Sequence, residues 1–226
     1  MKTKQKDNQD EFPELEKLLE HKPALIGAGD CMKSAVCIPL LRTEQGYSVL
    51  FEVRSQKILH QPGDVCFPGG MLEPGETPKE AAVREMMEEL LITRDQFRVF
   101  GLMDVLYTGH RLMMYPYAAA LRNYEGTYSK EEVEEVFTVP LEFFLNTQPD
   151  VYRVEAQIFP GSDFPYELVY GGKEYQWRKR REDILFYQYG GHVIWGLTAK
   201  IMKSFAEIYL QIISDDSSKR NRVNGK

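Results

Sequence analysis

The stretch GMLEPGETPKEAAVREMMEELLI, residues 70–92, predicts the helix around which the rest of the chain is organised. Thr77 suits the N-cap position, and Pro78 suits the first helical position, where its missing N–H has no intrahelical partner to lose. Glu80 completes a T-x-x-E capping box, which satisfies two otherwise unpaired backbone N–H groups. The sequence therefore predicts a helix from about Pro78 to Leu91, after a loop rich in glycine and proline.

Three glutamates, Glu85, Glu88 and Glu89, are spaced three and four residues apart in this helix. At about 100° per residue they fall within an arc of roughly 100° and share one face. The other side carries four apolar residues: Val83, Met86, Met87 and Leu90. Like charges at these spacings cost roughly 0.2–0.5 kcal/mol per pair unless a positive charge offsets them. Both a solvated acidic face and a site for a hard cation, Mg²⁺ or Mn²⁺, fit this pattern.

The spacing of the surrounding polar residues decides between these two interpretations. It resembles the Nudix box, G-x5-E-x7-R-E-U-x-E-E-x-G-U, in which U is a bulky aliphatic residue. The matching polar and glycine positions are Gly70, Glu76, Arg84, Glu85, Glu88 and Glu89. Leu91 replaces the second glycine of the box. Because a glycine just past a helix usually provides a left-handed C-cap, this departure concerns the helix exit and removes no ligand.

The resemblance to the Nudix superfamily implies an α+β fold, an α/β/α sandwich in which a mixed central sheet carries the box helix on one face and also packs a C-terminal helix. It implies a pyrophosphohydrolase that uses Mg²⁺ or Mn²⁺ and water to cleave a nucleoside diphosphate linked to another group. The implied metal ligands are Glu85, Glu88, Glu89 and the backbone carbonyl of Gly69. Arg84 would orient the glutamates, with support from Glu76. The general base would be a box glutamate such as Glu85 or an acid on a later loop, where the candidates are Glu132 and its neighbours Glu131, Glu134 and Glu135.

The segment before the box, LFEVRSQKILHQPGDVCFPGG at residues 50–70, resembles the motif L-L-T-x-R-S-x3-R-x3-G-x3-F-P-G-G of coenzyme A pyrophosphatases. The residues in register are Arg54, Ser55, Gly63, Phe67, Pro68, Gly69 and Gly70. The resemblance implies that coenzyme A or an acyl-coenzyme A is hydrolysed to 3′,5′-ADP and 4′-phosphopantetheine or its acyl form. Arg54, Ser55, Gly69 and Gly70 would contact the substrate. Leu59 stands where the motif has its second arginine, so one cationic contact is missing or is supplied from elsewhere.

Other interpretations stay open. The basic run Arg178–Arg181 is most simply an exposed turn, but it could also bind the 3′-phosphate of coenzyme A. Tyr107 lies about where dinucleoside polyphosphate hydrolases of the family have a tyrosine, although strand core is the simpler interpretation. The enzyme could therefore act on ADP-ribose or on a dinucleoside polyphosphate instead. A non-catalytic Nudix-fold binding module is the third alternative, and the intact box carboxylates argue against it.

The rest of the chain predicts one domain with irregular ends. Residues 1–28 form an N-terminal extension with a short helix from about Glu11 to His21, residues 29–213 form the Nudix domain, and residues 214–226 form a flexible tail. Strands are expected at four segments: Ser34–Leu41, Tyr47–Arg54, Phe97–Tyr107 and Leu112–Leu121. Gln45-Gly46 is expected to form a hairpin turn between the first two. Apolar residues at helical spacing predict a helix over Trp195–Ile213, with Trp195 in the core.

Composition limits the partners and the location. With 226 residues and 43% hydrophobic residues, the chain is large enough for one substantial core. A net charge of -6 does not favour nucleic acid or a membrane surface, so we expect a small nucleotide substrate. Three cysteines without metal-ligand spacing, and the lack of a recognisable signal segment, predict a cytoplasmic protein with free thiols. Aromatic residues in 152–175 make a homodimer plausible.

Overall fold

The capping box predicted at Thr77 is present and starts helix α1, which spans Pro78–Leu90. The Thr77 hydroxyl accepts the N–H of Glu80 at 3.3 Å, and the Glu80 carboxylate accepts the N–H of Thr77 at 2.8 Å. These bonds satisfy donors that an uncapped helix leaves unpaired. The helix therefore begins at the predicted residue, and it ends at Leu90 because Leu91 leaves the helical conformation.

The computed structural model describes residues 22, 25–44, 46–109 and 111–223, with side chains described as far as residue 215. Contacts along the chain separate a first unit, Met1–Cys31, from a second, Met32–Lys226. In the first unit the described residues include a single 3₁₀ turn at Ala28–Asp30. The helix predicted from Glu11 to His21 lies outside the described residues.

Most strands of the second unit belong to one mixed sheet, which has eight strands in the described part of the chain. Their bounds are β1 Met32–Thr43, β2 Gly46–Arg54, β3 Val65–Cys66, β4 Gly69–Met71, β5 Phe97–Leu102, β6 Leu106–Tyr107, β7 Leu112–Leu121 and β8 Val133–Pro140. Strand β1 is antiparallel to β2 and β4 and parallel to β7. Strand β2 also pairs with β3 and β8, and β7 also pairs with β5 and β6. The hairpin predicted between the first two strands is confirmed.

A smaller antiparallel sheet was not predicted. Its strands are β9 Asp150–Ala156, β10 Arg180–Tyr189 and β11 His192–Trp195, with β10 in the middle. The sequence between β9 and β10 is rich in aromatic residues, glycine and proline, and it contains two 3₁₀ turns. Strand β9 is exposed along its whole length, so no buried face imposes the alternation by which strands are recognised.

Alternation along the strands gives the main sheet two apolar faces. On one face, Cys37 and Leu50 belong to the cluster that includes the buried side of α1. On the other face, Phe51 belongs to a cluster with helix α2, Leu141–Asn146, and helix α3, Gly196–Val223. Helices therefore cover both faces, and the predicted α+β class with its α/β/α sandwich is confirmed.

Helix α3 continues to Val223, well beyond the predicted end at Ile213. The backbone is helical where the sequence analysis placed a tail without regular structure from Ser214, so that prediction is corrected as far as Val223. Residues 214–223 contain neither proline nor glycine, and extending an existing helix is much easier than starting one. None of the helices in the described residues is long and apolar enough to cross a membrane.

Leu91 adopts the conformation that the missing glycine would have taken. Its φ of 52° and ψ of 47° are left-handed, and its N–H bonds to the carbonyl of Met87. The N–H of Ile92 also bonds to that carbonyl, at 3.2 Å, and Ile92 is buried. A left-handed conformation costs an L-residue roughly 1–2 kcal/mol, and the Leu91 side chain, which is 58% exposed, recovers little of it by burial. The helix exit is thus preserved under strain.

Replacing Leu91 by glycine should raise the free energy of unfolding by about 1 kcal/mol, because glycine enters this conformation without a steric clash. Denaturant titration of both proteins measures the difference. The matched control is Leu91→Ala, which keeps the strained conformation and should give no stabilisation. Equal stabilisation by alanine and glycine would show that the side chain of Leu91, not its backbone, is the source of the effect.

Candidate metal and diphosphate site

Arg84 lies among the box carboxylates and binds three of them. Its Nε and one terminal nitrogen donate to the two oxygens of Glu76 at 3.0 and 3.1 Å. Its other terminal nitrogen donates to Glu85 at 2.8 Å and to Glu88 at 3.2 Å. Hydrogen bonding to Glu76 is the main cause that raises the pKa of Arg84. A permanently charged, forked donor thus fixes three carboxylates, which is the contact set that an orienting role for Arg84 requires.

Glu89 is the most deeply buried of the box glutamates, with 5% of its surface exposed. Its Oε2 accepts the N–H of Gly69 at 2.7 Å. The sequence predicts that all three helix glutamates share one face, but their burial differs: Glu89 lies against the sheet, whereas the side chain of Glu88 is 58% exposed. Burial, followed by the charge of Glu52, raises the pKa of Glu89.

Gly70 is required by the position of Glu85. A Cβ added at Gly70 would overlap Oε1 of Glu85, so the carboxylate lies directly against the backbone of β4. Burial is also the largest cause that raises the pKa of Glu85. Gly70 is predicted to contact the substrate, and in this structure the group that lies against it is the carboxylate of Glu85.

Glu52 is a site residue that the sequence analysis missed. It lies on β2, is 1% exposed, and its Oε1 accepts the thiol of Cys66 at 3.3 Å. Its charge raises the pKa of Glu89, and the charges of Glu132 and Glu85 in turn raise the pKa of Glu52, after burial as the main cause. Strand alternation could have found it, because Leu50 faces α1 and Glu52 lies two residues further along the same face.

The loop before β8 brings Glu132 to the same carboxylates. The Thr127 hydroxyl donates to the carbonyl of Leu90 at 2.7 Å, and the N–H of Ser129 donates to the carbonyl of Glu89 at 2.8 Å. The N–H of Ser55 then donates to the carbonyl of Glu132 at 2.8 Å. The charge of Glu132 contributes to the raised pKa values of Glu52, Glu85 and Glu89.

The other acids of that segment have different contacts. Glu131 pairs with Lys57 at 3.4 Å on the surface, and Glu135 bonds to His192 at 3.2 Å. Glu134 is exposed on β8. Of the four predicted candidates, Glu132 is the one whose charge acts on Glu52, Glu85 and Glu89.

The loop after β2 holds Arg54 and buries Ser55. The Nε of Arg54 donates to the carbonyl of His60 at 3.2 Å, so the guanidinium is fixed by the loop itself. Ser55 is fully buried, and its hydroxyl accepts the N–H of Lys57 at 3.3 Å. The structure therefore does not offer this hydroxyl to a substrate, contrary to the implied role of Ser55. Leu59 is 93% exposed.

The basic run is largely engaged with neighbouring groups. Lys179 and Arg181 pair with Glu155 at 3.5 and 3.2 Å, and Arg180 donates to the carbonyl of Gly109 at 2.8 Å. Arg178 is exposed at the start of this run. Any phosphate contact of the run therefore depends most directly on Arg178.

The carboxylates fit a hard divalent cation. Oε2 of Glu52 is buried and has no hydrogen-bond partner among the described residues. A buried carboxylate without a positive partner costs on the order of several kcal/mol, which a bound cation offsets. In the described ranges, no group of three or more histidine, cysteine, aspartate or glutamate side chains is arranged so that it could hold a metal ion. Mg²⁺ usually keeps several waters and takes substrate phosphates as ligands, so an open arrangement suits it.

Gly69 and Gly70 should respond differently to alanine. At Gly69 an added Cβ would overlap the carbonyl oxygen of Ala35 and lie 2.7 Å from Cα of Val36, which are backbone atoms that cannot move separately. Gly69→Ala should therefore lower the free energy of unfolding by about 1–3 kcal/mol. Gly70→Ala displaces only the end of the flexible Glu85 side chain and should change stability by less than about 1 kcal/mol. Thermal unfolding of the two variants compares them, and a reversed order would contradict the packing described for β4.

The family model of the NUDIX domain matches residues 32–160. A mouse protein named peroxisomal coenzyme A diphosphatase NUDT7 is 35% identical over 134 residues, which cover 58% of this chain and 56% of that protein. A human protein named mitochondrial coenzyme A diphosphatase NUDT8 is 29% identical over 186 residues, 80% of this chain and 69% of that protein. The chain thus spans little more than half of the mouse relative's length.

Among solved structures, a Caenorhabditis elegans Ap4A hydrolase is 21% identical, with a TM-score of 0.41, and the match covers 50% of this chain and 82% of that one. A likeness this weak carries no argument. The family match is different, because residues 32–160 are more than half of the 226 residues and include α1 with all its glutamates. On that basis, this chain belongs to the NUDIX domain family.

Proposed function

We propose that this chain is a divalent-metal-dependent pyrophosphohydrolase that cleaves the diphosphate bond of coenzyme A or an acyl-coenzyme A. The products are 3′,5′-ADP and 4′-phosphopantetheine or its acyl form. The observation that carries the hydrolase proposal is the set of α1 glutamates that Arg84 and the N–H of Gly69 hold in place. The coenzyme A proposal is supported by the register of residues 50–70 with the coenzyme A pyrophosphatase motif and by the names of the mouse and human relatives.

The proposed metal ligands are Glu85, Glu88, Glu89 and the backbone carbonyl of Gly69. A bound Mg²⁺ or Mn²⁺ supplies positive charge to the diphosphate and lowers the pKa of the attacking water. Arg84 holds Glu85 and Glu88 through one terminal nitrogen, at 2.8 and 3.2 Å, so their carboxylates stay close together despite their repulsion. The N–H of Gly69 donates to the carboxylate of Glu89 and so fixes its position.

Glu132 is the proposed general base. Its carboxylate is close enough to influence Glu52, Glu85 and Glu89, yet the residue is exposed and can pass a proton to solvent. Glu85 is the alternative base, but its carboxylate already accepts a short hydrogen bond from Arg84. A base that shares no hydrogen bond with Arg84 is the better acceptor for a proton from water.

Arg54 and the glycines of β4 are the proposed substrate contacts. Arg54 lies at the end of β2, with its Nε anchored to the loop carbonyl of His60, so its terminal nitrogens are positioned for a phosphate group. Gly69 and Gly70 let the diphosphate approach the backbone. Ser55 supports this arrangement from within the turn, through its bonds with Lys57 and Glu132.

A phosphate-release assay tests the proposal. The purified chain, with Mg²⁺ or Mn²⁺, should hydrolyse coenzyme A faster than ADP-ribose, NADH or diadenosine polyphosphates. Glu88→Gln should lower kcat/KM by about 10- to 100-fold or more, because it removes a charge from the metal site without burying an unpaired group. Glu44→Gln, at an exposed glutamate after β1, is the matched control and should keep full activity.

The outcomes separate the alternatives. Preference for ADP-ribose would overturn the coenzyme A assignment while leaving the hydrolase proposal standing. Preference for a diadenosine polyphosphate would favour the second candidate function, for which the structure offers one observation: Tyr107 is 52% exposed and is not in the strand core, contrary to prediction. No turnover of any diphosphate would favour a non-catalytic binding module.

The 3′-phosphate contact has its own test, since the basic run lies outside the carboxylate site. If Arg178 binds this phosphate, Arg178→Gln should raise KM for coenzyme A about 5- to 10-fold and leave KM for dephospho-coenzyme A unchanged. Arg98→Gln, at an exposed arginine on β5, serves as the control. Equal effects of Arg178→Gln on both substrates would show that the run does not recognise the 3′-phosphate.

Location and assembly are also proposals. A cytoplasmic location is what the sequence analysis predicts, whereas the mouse and human relatives are named peroxisomal and mitochondrial. Several aromatic side chains of residues 152–175 are exposed, including Tyr152, Phe159 and Tyr170. Fluorescence microscopy and light scattering would test the location and the proposed homodimer.

A further inference from the structure

Glu52 occupies a position at which strand β2 is otherwise apolar and buried. Val49 and Phe51 face the cluster with α2 and α3, and Leu50 faces α1. By alternation Glu52 shares the face of Leu50, and it is 1% exposed. A carboxylate in the middle of a sheet, beneath a helix that carries further carboxylates, is a costly arrangement that has to be offset.

The described neighbours of Glu52 offset this cost only in part. Oε1 accepts only the Cys66 thiol, a weak donor, and Oε2 is buried without a partner in the described part of the chain. Negative charges act on Glu52 from α1 and from the loop before β8. They belong to Glu85 and Glu89 on α1 and to Glu132 in that loop. Arg54, on the same strand, is the one cation whose charge is seen to act on it, and the two residues form no ion pair among those described.

The unpartnered oxygen and the surrounding acids indicate what Glu52 is for. We propose that Glu52 is an additional carboxylate ligand of the divalent cation held by the α1 glutamates, contributed from the sheet side of the site. This inference rests on the proposed metal-dependent function. The coenzyme A pyrophosphatase motif has threonine at this position, so Glu52 gives the metal site of this chain one more negative charge than that motif provides.

One further negative ligand has two consequences that can be measured without catalysis. It strengthens binding of a divalent cation, because each anionic oxygen adds to the attraction and Glu52 needs no further desolvation. It also makes the metal-free protein less stable, since a buried acid then lies beside other acids. If Glu52 were instead neutral, protonated and purely structural, it would neither strengthen cation binding nor lower the stability of the metal-free protein.

Direct Mn²⁺ binding is the test. The full chain, freed of metal with a chelator, is titrated with Mn²⁺ while free Mn²⁺ is followed by electron paramagnetic resonance, and Tm is recorded with and without the metal. Glu52→Gln and Glu52→Thr are expected to raise Kd for Mn²⁺ about 10-fold or more and to shrink the rise in Tm on metal addition. Without metal, their Tm should equal or exceed that of the wild type. Glu134→Gln is the surface control and should match the wild type in both measurements.

The outcomes distinguish this inference from the function on which it rests. If Glu88→Gln weakens Mn²⁺ binding but both Glu52 variants bind within about twofold of the wild type, Glu52 is no ligand and the metal-dependent function still stands. If the wild type itself binds no Mn²⁺, the metal dependence is wrong and the inference fails with it. Should Glu52→Gln fail to fold, Glu52→Thr, which restores the residue of the motif, carries the test.

Discussion

Repulsion among carboxylates held close together is the constraint on which this structure depends. Helix α1 and strand β2 bring Glu52, Glu85 and Glu89 out of water, and burial raises the pKa of each. Such an arrangement would push the helix from the sheet if nothing compensated for it. The compensation described in the structure is Arg84, the N–H of Gly69 and the apolar packing of Met86 and Leu90. The same interactions therefore determine both the stability of α1 and the chemistry of the site.

The packing of strand β4 determines how closely a carboxylate can approach the sheet. Strand β4 pairs with β1 through Gly69 and Gly70, and neither residue has room for a side chain. At Gly69 the limiting neighbours are backbone atoms of β1, whereas at Gly70 the limiting neighbour is the carboxylate of Glu85. Two adjacent glycines thus serve different purposes: the first lets the strands meet, and the second lets a functional carboxylate lie against the sheet.

The sequence predicted the parts of the fold that depend on local chemistry. The capping box, α1 and the first hairpin follow from turn residues and periodicity, whereas the sandwich class is what the resemblance to the Nudix superfamily implies. The structure confirms all four. Long-range pairing was not predictable in the same way. The parallel contact of β1 with β7 and the burial of Ser55 depend on residues far apart in the chain. The smaller sheet was missed because β9 is exposed along its whole length and has no buried face to impose an apolar alternation.

The same distinction holds at the candidate site. The α1 glutamates and Arg84 could be named from spacing, because a helix fixes their relative directions. The differing burial of Glu88 and Glu89 could not, since it depends on how α1 is rotated against the sheet. Glu52 carries no motif of its own: strand alternation places it on the face of Leu50, but its position beside the α1 carboxylates is known only once β2 is placed beneath α1. A residue whose role depends on its burial beneath another element is the kind that is hardest to identify from the sequence alone.

The attachment of the loop that carries Glu132 has an evolutionary consequence. Three of the contacts that hold this loop have backbone carbonyls as acceptors, those of Leu90, Glu89 and Glu132. Two of the donors are backbone N–H groups, of Ser129 and Ser55. Because peptide groups are present whatever the side chains are, most substitutions in this loop leave its path unchanged. Selection is thus free to exchange the acid at position 132, and with it the reactivity of the site, without rebuilding the scaffold.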